Sequence, residues 1–130
     1  MQPAINQHSI LVVDDNQIAR EVMETLLARM GYRCTAVASG EEALQLLQEQ
    51  IFDLVLMDCM MPSMSGIETT RHFKAPEGPY LKRTTPVIAL TAQVTHENRE
   101  NCKRAGMVGF LEKPINRASL ESVIRQCLHH

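Results

Sequence analysis

The feature that most constrains this chain is an alternation of period. Short apolar runs give way, one after another, to stretches with helical spacing. Ser9-Ile-Leu-Val-Val-Asp14 reads as a strand buried on both faces and ending in acid. Residues 16–30 then switch to helical spacing, with Ile18, Val22, Leu26 and Met30 at successive i+4 steps, and Gly31 closes the helix. Arg33–Ala38 reads as a second, less apolar strand. Ser39-Gly-Glu-Glu42 is a capping box opening a helix to about Glu49, with Ala43, Leu44 and Leu47 inward. The spacing predicts a third strand over Asp53–Asp58, again ending in acid, followed by the methionine-rich loop CMMPSMS. Ser65-Gly-Ile-Glu68 is a second capping box, and Pro76 stops its helix after about Lys74. Beyond the connector APEGPYLKRTTP come a strand over Pro86–Thr91 and a polar helix over Thr95–Ala105 ended by Gly106. A strand over Met107–Leu111 and a helix capped by Asn116 complete the pattern, with Leu120, Val123, Ile124, Cys127 and Leu128 on one face.

Five βα units in succession imply one α/β domain, a parallel sheet with helices on both faces. At 130 residues the chain has room for one such domain. We divide it into a tail over 1–7 and the domain over 8–130. A net charge of −2 and five aromatics without tryptophan argue against nucleic acid as a partner. Runs such as Ile10–Val13 and Leu54–Met57 are too short to cross a bilayer, and MQPAINQHS lacks the build of a signal peptide. The four cysteines form no CxxC pair. The expectation is therefore a cytoplasmic chain with reduced thiols and no membrane contact of its own. His129–His130 reads either as native or as the stub of a purification tag.

In open parallel sheets, ligands sit outside the carboxyl ends of the strands. The polar residues expected there are few. The first strand ends at Asp14-Asp15, the third at Asp58 and the fourth at Thr91, and Lys113-Pro114 follows the fifth. Three of the four aspartates thus converge on one edge, with one of the four lysines. Carboxylates so packed repel unless a cation neutralises them, and a hard divalent ion such as Mg²⁺ suits oxygen ligands beside phosphate. Lysine and threonine offer a phosphoryl oxygen a point charge and a hydroxyl donor. An aspartate in such a setting can attack phosphorus, and Asp58, separate from the adjacent pair, is the candidate nucleophile. Asp53 opens its strand instead, belongs at the opposite edge, and is assigned no chemistry.

The stretches ILVVDDN (10–16), LVLMDCMMPSMSG (54–66), PVIALTA (86–92) and GMVGFLEKP (106–114) make the sequence resemble the receiver domain of two-component response regulators, over about residues 8–128. The wording MDCMMPSMSG and the long connector are most similar to receivers of hybrid sensor histidine kinases. The resemblance implies a flavodoxin-like, doubly wound five-stranded sheet of order 2-1-3-4-5 with five helices. It implies Mg²⁺ held by Asp15, Asp58 and the Met60 carbonyl, with Asp14 acting directly or through water. It further implies that Asp58 accepts a phosphoryl group from the phosphohistidine of a histidine kinase or a histidine phosphotransfer domain. Thr91 and Lys113 would bind the phosphoryl oxygens, and the Lys113–Pro114 bond would be cis. Output would pass through the face of the fourth helix, fifth strand and fifth helix to an effector protein. Met60 and Gln93 stand where receivers vary in how fast the acyl phosphate hydrolyses.

Each residue also has a plainer reading. Asp14, Asp15 and Asn16 can cap a helix, Asp58 can serve a turn, and Thr91 and Lys113 can be ordinary strand-end and loop residues. Phe110 matches the aromatic that swings inward in receivers, yet it reads equally as core. Met57, Met60, Met61 and Met64 read first as gap-fillers, the last three also as partner contacts. His72 and His96 read as solvated, as does the basic side of the fourth helix formed by Arg99, Lys103 and Arg104. Two rival functions remain at this point. A Mg²⁺-dependent phosphatase would want a second carboxylate at Met60, and a binding module would work unphosphorylated. Turnover is not expected; the chain would catalyse only its own phosphorylation and dephosphorylation. It reads as a free-standing regulator or as a receiver excised from a hybrid kinase.

Overall fold

Successive residues of each strand pack on opposite sides of a sheet, and this alternation divides the core in two. In the computed structural model, which describes residues 8–128, five strands and five helices alternate. They are β1 (Ser9–Val13), α1 (Gln17–Arg29), β2 (Arg33–Val37), α2 (Gly40–Glu49), β3 (Leu54–Asp58), α3 (Gly66–Lys74), β4 (Val87–Thr91), α4 (His96–Ala105), β5 (Gly109–Glu112) and α5 (Arg117–Leu128). The segment 1–7 expected as a tail, and His129–His130, lie outside the described residues.

All four strand pairings are parallel, in the order β2-β1-β3-β4-β5. Leu11, Val13, Val55, Met57, Val87 and Ala89 face a core layer completed by Ala43 and Leu47 of α2, Phe73 of α3 and Cys102 of α4. Their neighbours Ile10, Val12, Leu54, Leu56, Ile88 and Leu90 face the other layer, with Met23 and Leu27 of α1 and Leu120 and Ile124 of α5. Right-handed crossovers explain the division. The chain moves outward from β1 to β2 through α1, then reverses past β1 to β3. A helix joining strands in the reversed direction lands on the opposite face, so α2, α3 and α4 share one side. The reversal leaves a crevice between the carboxyl ends of β1 and β3.

The helix starts follow their expected caps. Ser39 accepts from the Glu42 N–H at 3.1 Å, Ser65 from the Glu68 N–H at 3.1 Å, and Asn116 from the Ser119 N–H at 2.9 Å. The Glu42 carboxylate returns to the Ala38 N–H at 3.0 Å, one residue before the cap. Gly31 and Gly106 take left-handed backbone, at φ 90° and 109°.

One expectation needs correction beyond single-residue differences at strand ends. The fifth strand starts at Gly109 rather than Met107 and extends to Glu112, which pairs with Thr91. After Gly106 turns the chain, the Met107 N–H bonds back to the Cys102 carbonyl at 3.0 Å and its side chain is buried beside α4. Met107 therefore finishes the helix instead of opening the strand. The i+4 row of α1 passes from exposed to half-buried along the helix. Ile18 is 72 % exposed and Val22 47 %, whereas Met23 and Leu27 are buried. Four residues turn a helix by about 400°, so an i+4 row drifts about 40° per step and spirals off the sheet.

Candidate functional site

Three loops meet at the crevice. After β1, the Asp14 carboxylate is 1 % exposed and accepts from the Asn16 N–H at 2.9 Å, while Arg20 donates to the Asp14 carbonyl at 2.8 Å. Asn16 caps α1 by accepting from the Ala19 N–H at 2.9 Å. Helix capping thus falls to Asn16, and Asp14 and the exposed Asp15 remain for other work. After β3, Asp58 is 4 % exposed and accepts from the Met60 N–H at 3.3 Å. Gly66 sits so close behind it that a Cβ would strike the Asp58 carbonyl, so only glycine lets α3 begin there. After β5, Lys113 extends its ammonium to Asp14 Oδ2 at 3.0 Å and Asp58 Oδ1 at 3.4 Å. The Lys113–Pro114 bond is cis, as expected.

Asp14, Asp15 and Asp58 each offer an oxygen within 4.8 Å of the others. One ammonium facing three carboxylates leaves the cluster anionic. Burial and then the charge of Asp14 push the Asp58 carboxyl up to about 6, against the opposing pull of Lys113 and the Met60 N–H. Burial works to lower the Lys113 pKa, but its bond to Asp14 and the charges of Asp58 and Asp14 prevail and raise it. Lys113 is therefore a fixed cation. Both polar contacts to the Asp58 carboxyl fall on Oδ1, and among the described residues none reaches Oδ2. A buried aspartate with one oxygen lacking a donor, beside two further carboxylates, fits a hard divalent cation and an electrophile.

Thr91 ends β4 on the same edge but is turned toward its own loop. Its hydroxyl donates to the Gln93 carbonyl at 3.0 Å and accepts from the Gln93 N–H at 3.2 Å; Asn98 also donates to that carbonyl, at 2.8 Å. Thr91, Gln93 and Asn98 line a cavity of about 340 Å³ together with Cys59, Met60 and Cys102. Phe110 is half-buried, with the Arg99 guanidinium 5.3 Å from its ring centre, so a purely core reading does not describe it. Met57 and Met61 are buried, whereas Met60 is 77 % exposed on the rim of the site. His72, His96, Arg99, Lys103 and Arg104 are exposed.

Asp53 precedes β3 at the far edge, where its carboxylate accepts from the Ser9 N–H at 2.8 Å. Two features escaped the sequence reading. The Cys59 and Cys102 sulfurs lie 3.6 Å apart, a proximity no sequence spacing announces. The exposed Ile18 and Val22 line a groove of about 450 Å³ that runs to Asp14 and Lys113 along Pro114 and Ile115. No helix among the described residues is long and apolar enough to cross a membrane.

Comparison with known proteins agrees with this fold. The chain is 36% identical over 88% of its length to the sensor protein GacS of Pseudomonas syringae pv. syringae, and 35% identical over 92% to the probable histidine kinase 4 of Oryza sativa subsp. japonica. It spans only 13% and 14% of those proteins. The receiver domain of sensor histidine kinase PA1611 from Pseudomonas aeruginosa PAO1, a crystal structure with magnesium in its active site cleft, superposes with a TM-score of 0.85 at 38% identity. That match covers 96% of this chain and 100% of the other. Chemotaxis protein CheY4 of Vibrio cholerae superposes at 0.87 with 29% identity, over 95% and 100%. Residues 10–125 match the response regulator receiver domain model, and the chain belongs to that family of signalling domains.

Proposed function

We propose that this receiver domain accepts a phosphoryl group on Asp58 from a phosphohistidine, with Mg²⁺ held by Asp15, Asp58 and the Met60 carbonyl, and by Asp14 directly or through water. Asp58 Oδ2, without a protein donor on a side chain that is 6 % exposed, is the observation that carries this reading. The cation, when bound, supplies positive charge to the phosphoryl oxygens and to the carboxylates around them.

The step requires little from the protein beyond position and charge. Oδ2 of ionised Asp58 forms a bond to phosphorus as the phosphorus–nitrogen bond of the donor breaks, and the imidazole departs with its electron pair. Lys113 already bridges Asp14 and Asp58, so its ammonium sits where negative charge gathers. Asp14 holds that ammonium in place. Thr91 must exchange its bonds with Gln93 for one to the phosphoryl group. The Gln93 carbonyl keeps Asn98 as a donor, which lowers the cost of that exchange. The loop after β4 then shifts and biases α4, β5 and α5, the face on which an effector protein would read the change.

A histidine kinase or a histidine phosphotransfer domain is the donor in this reading, a cytoplasmic one, in keeping with four free thiols. A phosphatase is disfavoured because the position of its second acid is Met60. The domain catalyses only its own phosphorylation and dephosphorylation.

The test is Asp58→Asn, incubated with Mg²⁺ and acetyl phosphate. Wild type gains a hydroxylamine-sensitive phosphoryl group and the variant gains none; equal labelling of both refutes the assignment. For Phe110, crystal structures with and without a phosphoryl mimic should show the ring leaving Arg99 and turning inward. One unchanged rotamer in both ends the switch reading.

A further inference from the structure

The phosphoacceptor chemistry makes no use of two thiols that the fold brings together beside it. Cys59 directly follows Asp58, and Cys102 lies in the middle of α4, 43 residues on. Their sulfurs stand 3.6 Å apart at 6 % and 1 % exposure. Both line the cavity that reaches Thr91, Gln93 and Asn98, so a molecule small enough to enter there meets both sulfurs. The backbone on one side is held firmly: the Cys59 N–H bonds to the Leu90 carbonyl at 3.0 Å, and its carbonyl accepts from the Gly66 N–H at 3.1 Å. On the other side is a polar helix with only Cys102 and Ala105 buried.

We propose that Cys59 and Cys102 form an oxidisable dithiol, whose disulfide ties α4 to the residue next to Asp58. Closing the pair to a bond of about 2.05 Å asks the sulfurs to approach by about 1.5 Å, within the reach of side-chain rotation and a small shift of α4. The oxidant is a peroxide. The Cys59 sulfur, the more exposed of the two, attacks one peroxide oxygen and becomes a sulfenic acid as the first water leaves. The Cys102 sulfur then attacks the Cys59 sulfur and the second water leaves. Two thiols lose two protons and two electrons in all, and one hydrogen peroxide becomes two waters. At 6 % and 1 % exposure, the pair suits sustained oxidant rather than a brief pulse. The product restrains the helix that the β4–α4 loop would have to carry with it, and the constraint is reversible by reducing thiols.

The test needs no phosphorylation, so its outcome is separate from that of the acceptor reading. The full chain is treated with hydrogen peroxide, free thiols are alkylated, and the digest is mapped by mass spectrometry. The expected result is one peptide pair joined through Cys59 and Cys102 and lighter by two hydrogens. Cys34 and Cys127 stay alkylatable, and dithiothreitol reverses the linkage. Amide hydrogen exchange in α4 should slow several-fold in the oxidised protein, and Cys102→Ala should lose that slowing. Four alkylated cysteines, sulfinic acid on Cys59 without a linkage, or joining through Cys34 or Cys127 would each overturn the proposal. The wild-type map decides even where the variant does not fold.

Discussion

Asp53 precedes a five-residue strand, Asp58 ends it, and the two meet opposite surroundings. Asp53 lies at the edge where the parallel strands begin, an edge that presents N–H groups. Its carboxylate accepts from the Ser9 N–H at 2.8 Å, has His8 at 3.6 Å and keeps a third of its surface in water. Asp58 lies at the edge where the strands end, buried with Asp14 against one ammonium and with the exposed Asp15 close by. The same side chain is a tie at one edge and an electrostatic burden at the other. Parallel strands produce this difference, because they gather all their amino ends on one side and all their carboxyl ends on the other.

The largest expected effect separates the two edges by function. Lys113→Ala should slow phosphoryl uptake from acetyl phosphate by about 10²–10³-fold, the usual consequence of losing a group aimed at developing charge. Asp53→Asn should leave the rate unchanged. Timed intact-mass measurements would show it, and equal slowing by both changes would break the comparison.

Stability should separate them with opposite sign. Burial and Asp14 raise the Asp58 pKa from 3.8 to about 6. A raised pKa favours the folded state fully only below 3.8, and this contribution is lost as pH rises through about 6. Above that, the metal-free fold holds an ionised carboxylate at a cost. Asp58→Asn should therefore stabilise the metal-free protein at pH 7.5 by about 1–2 kcal/mol, fading toward acid. Asp53→Ala, which strands the Ser9 N–H, should destabilise it by about 1 kcal/mol. Urea unfolding at pH 7.5 and pH 5 checks both; a destabilised Asp58→Asn would contradict the electrostatic reading.

Much of this was legible beforehand because the decisive signals are local. Period distinguishes strand from helix, caps mark the helix starts, and the strand-end rule collects Asp14, Asp58, Thr91 and Lys113 without any contact being known. What stayed hidden depends on three-dimensional direction. Ile18 and Val22 share an i+4 row with Leu26, yet the helix turns them outward. Met107 is apolar enough for a strand, yet it is bonded back to α4. Thr91 was placed at the right edge, but its pairing with Gln93 depends on a loop conformation that no spacing encodes. Cys59 and Cys102 come together only because α4 packs into the core layer that β3 also faces.

Trapping the acyl phosphate tests the central claim most directly. The protein is labelled with acetyl phosphate and Mg²⁺, reduced with borohydride, which converts an aspartyl phosphate to homoserine, and sequenced by mass spectrometry. Homoserine at position 58, with Asp14, Asp15 and Asp53 intact, is the predicted result. Homoserine at any of those three, or none anywhere after labelling, would contradict it.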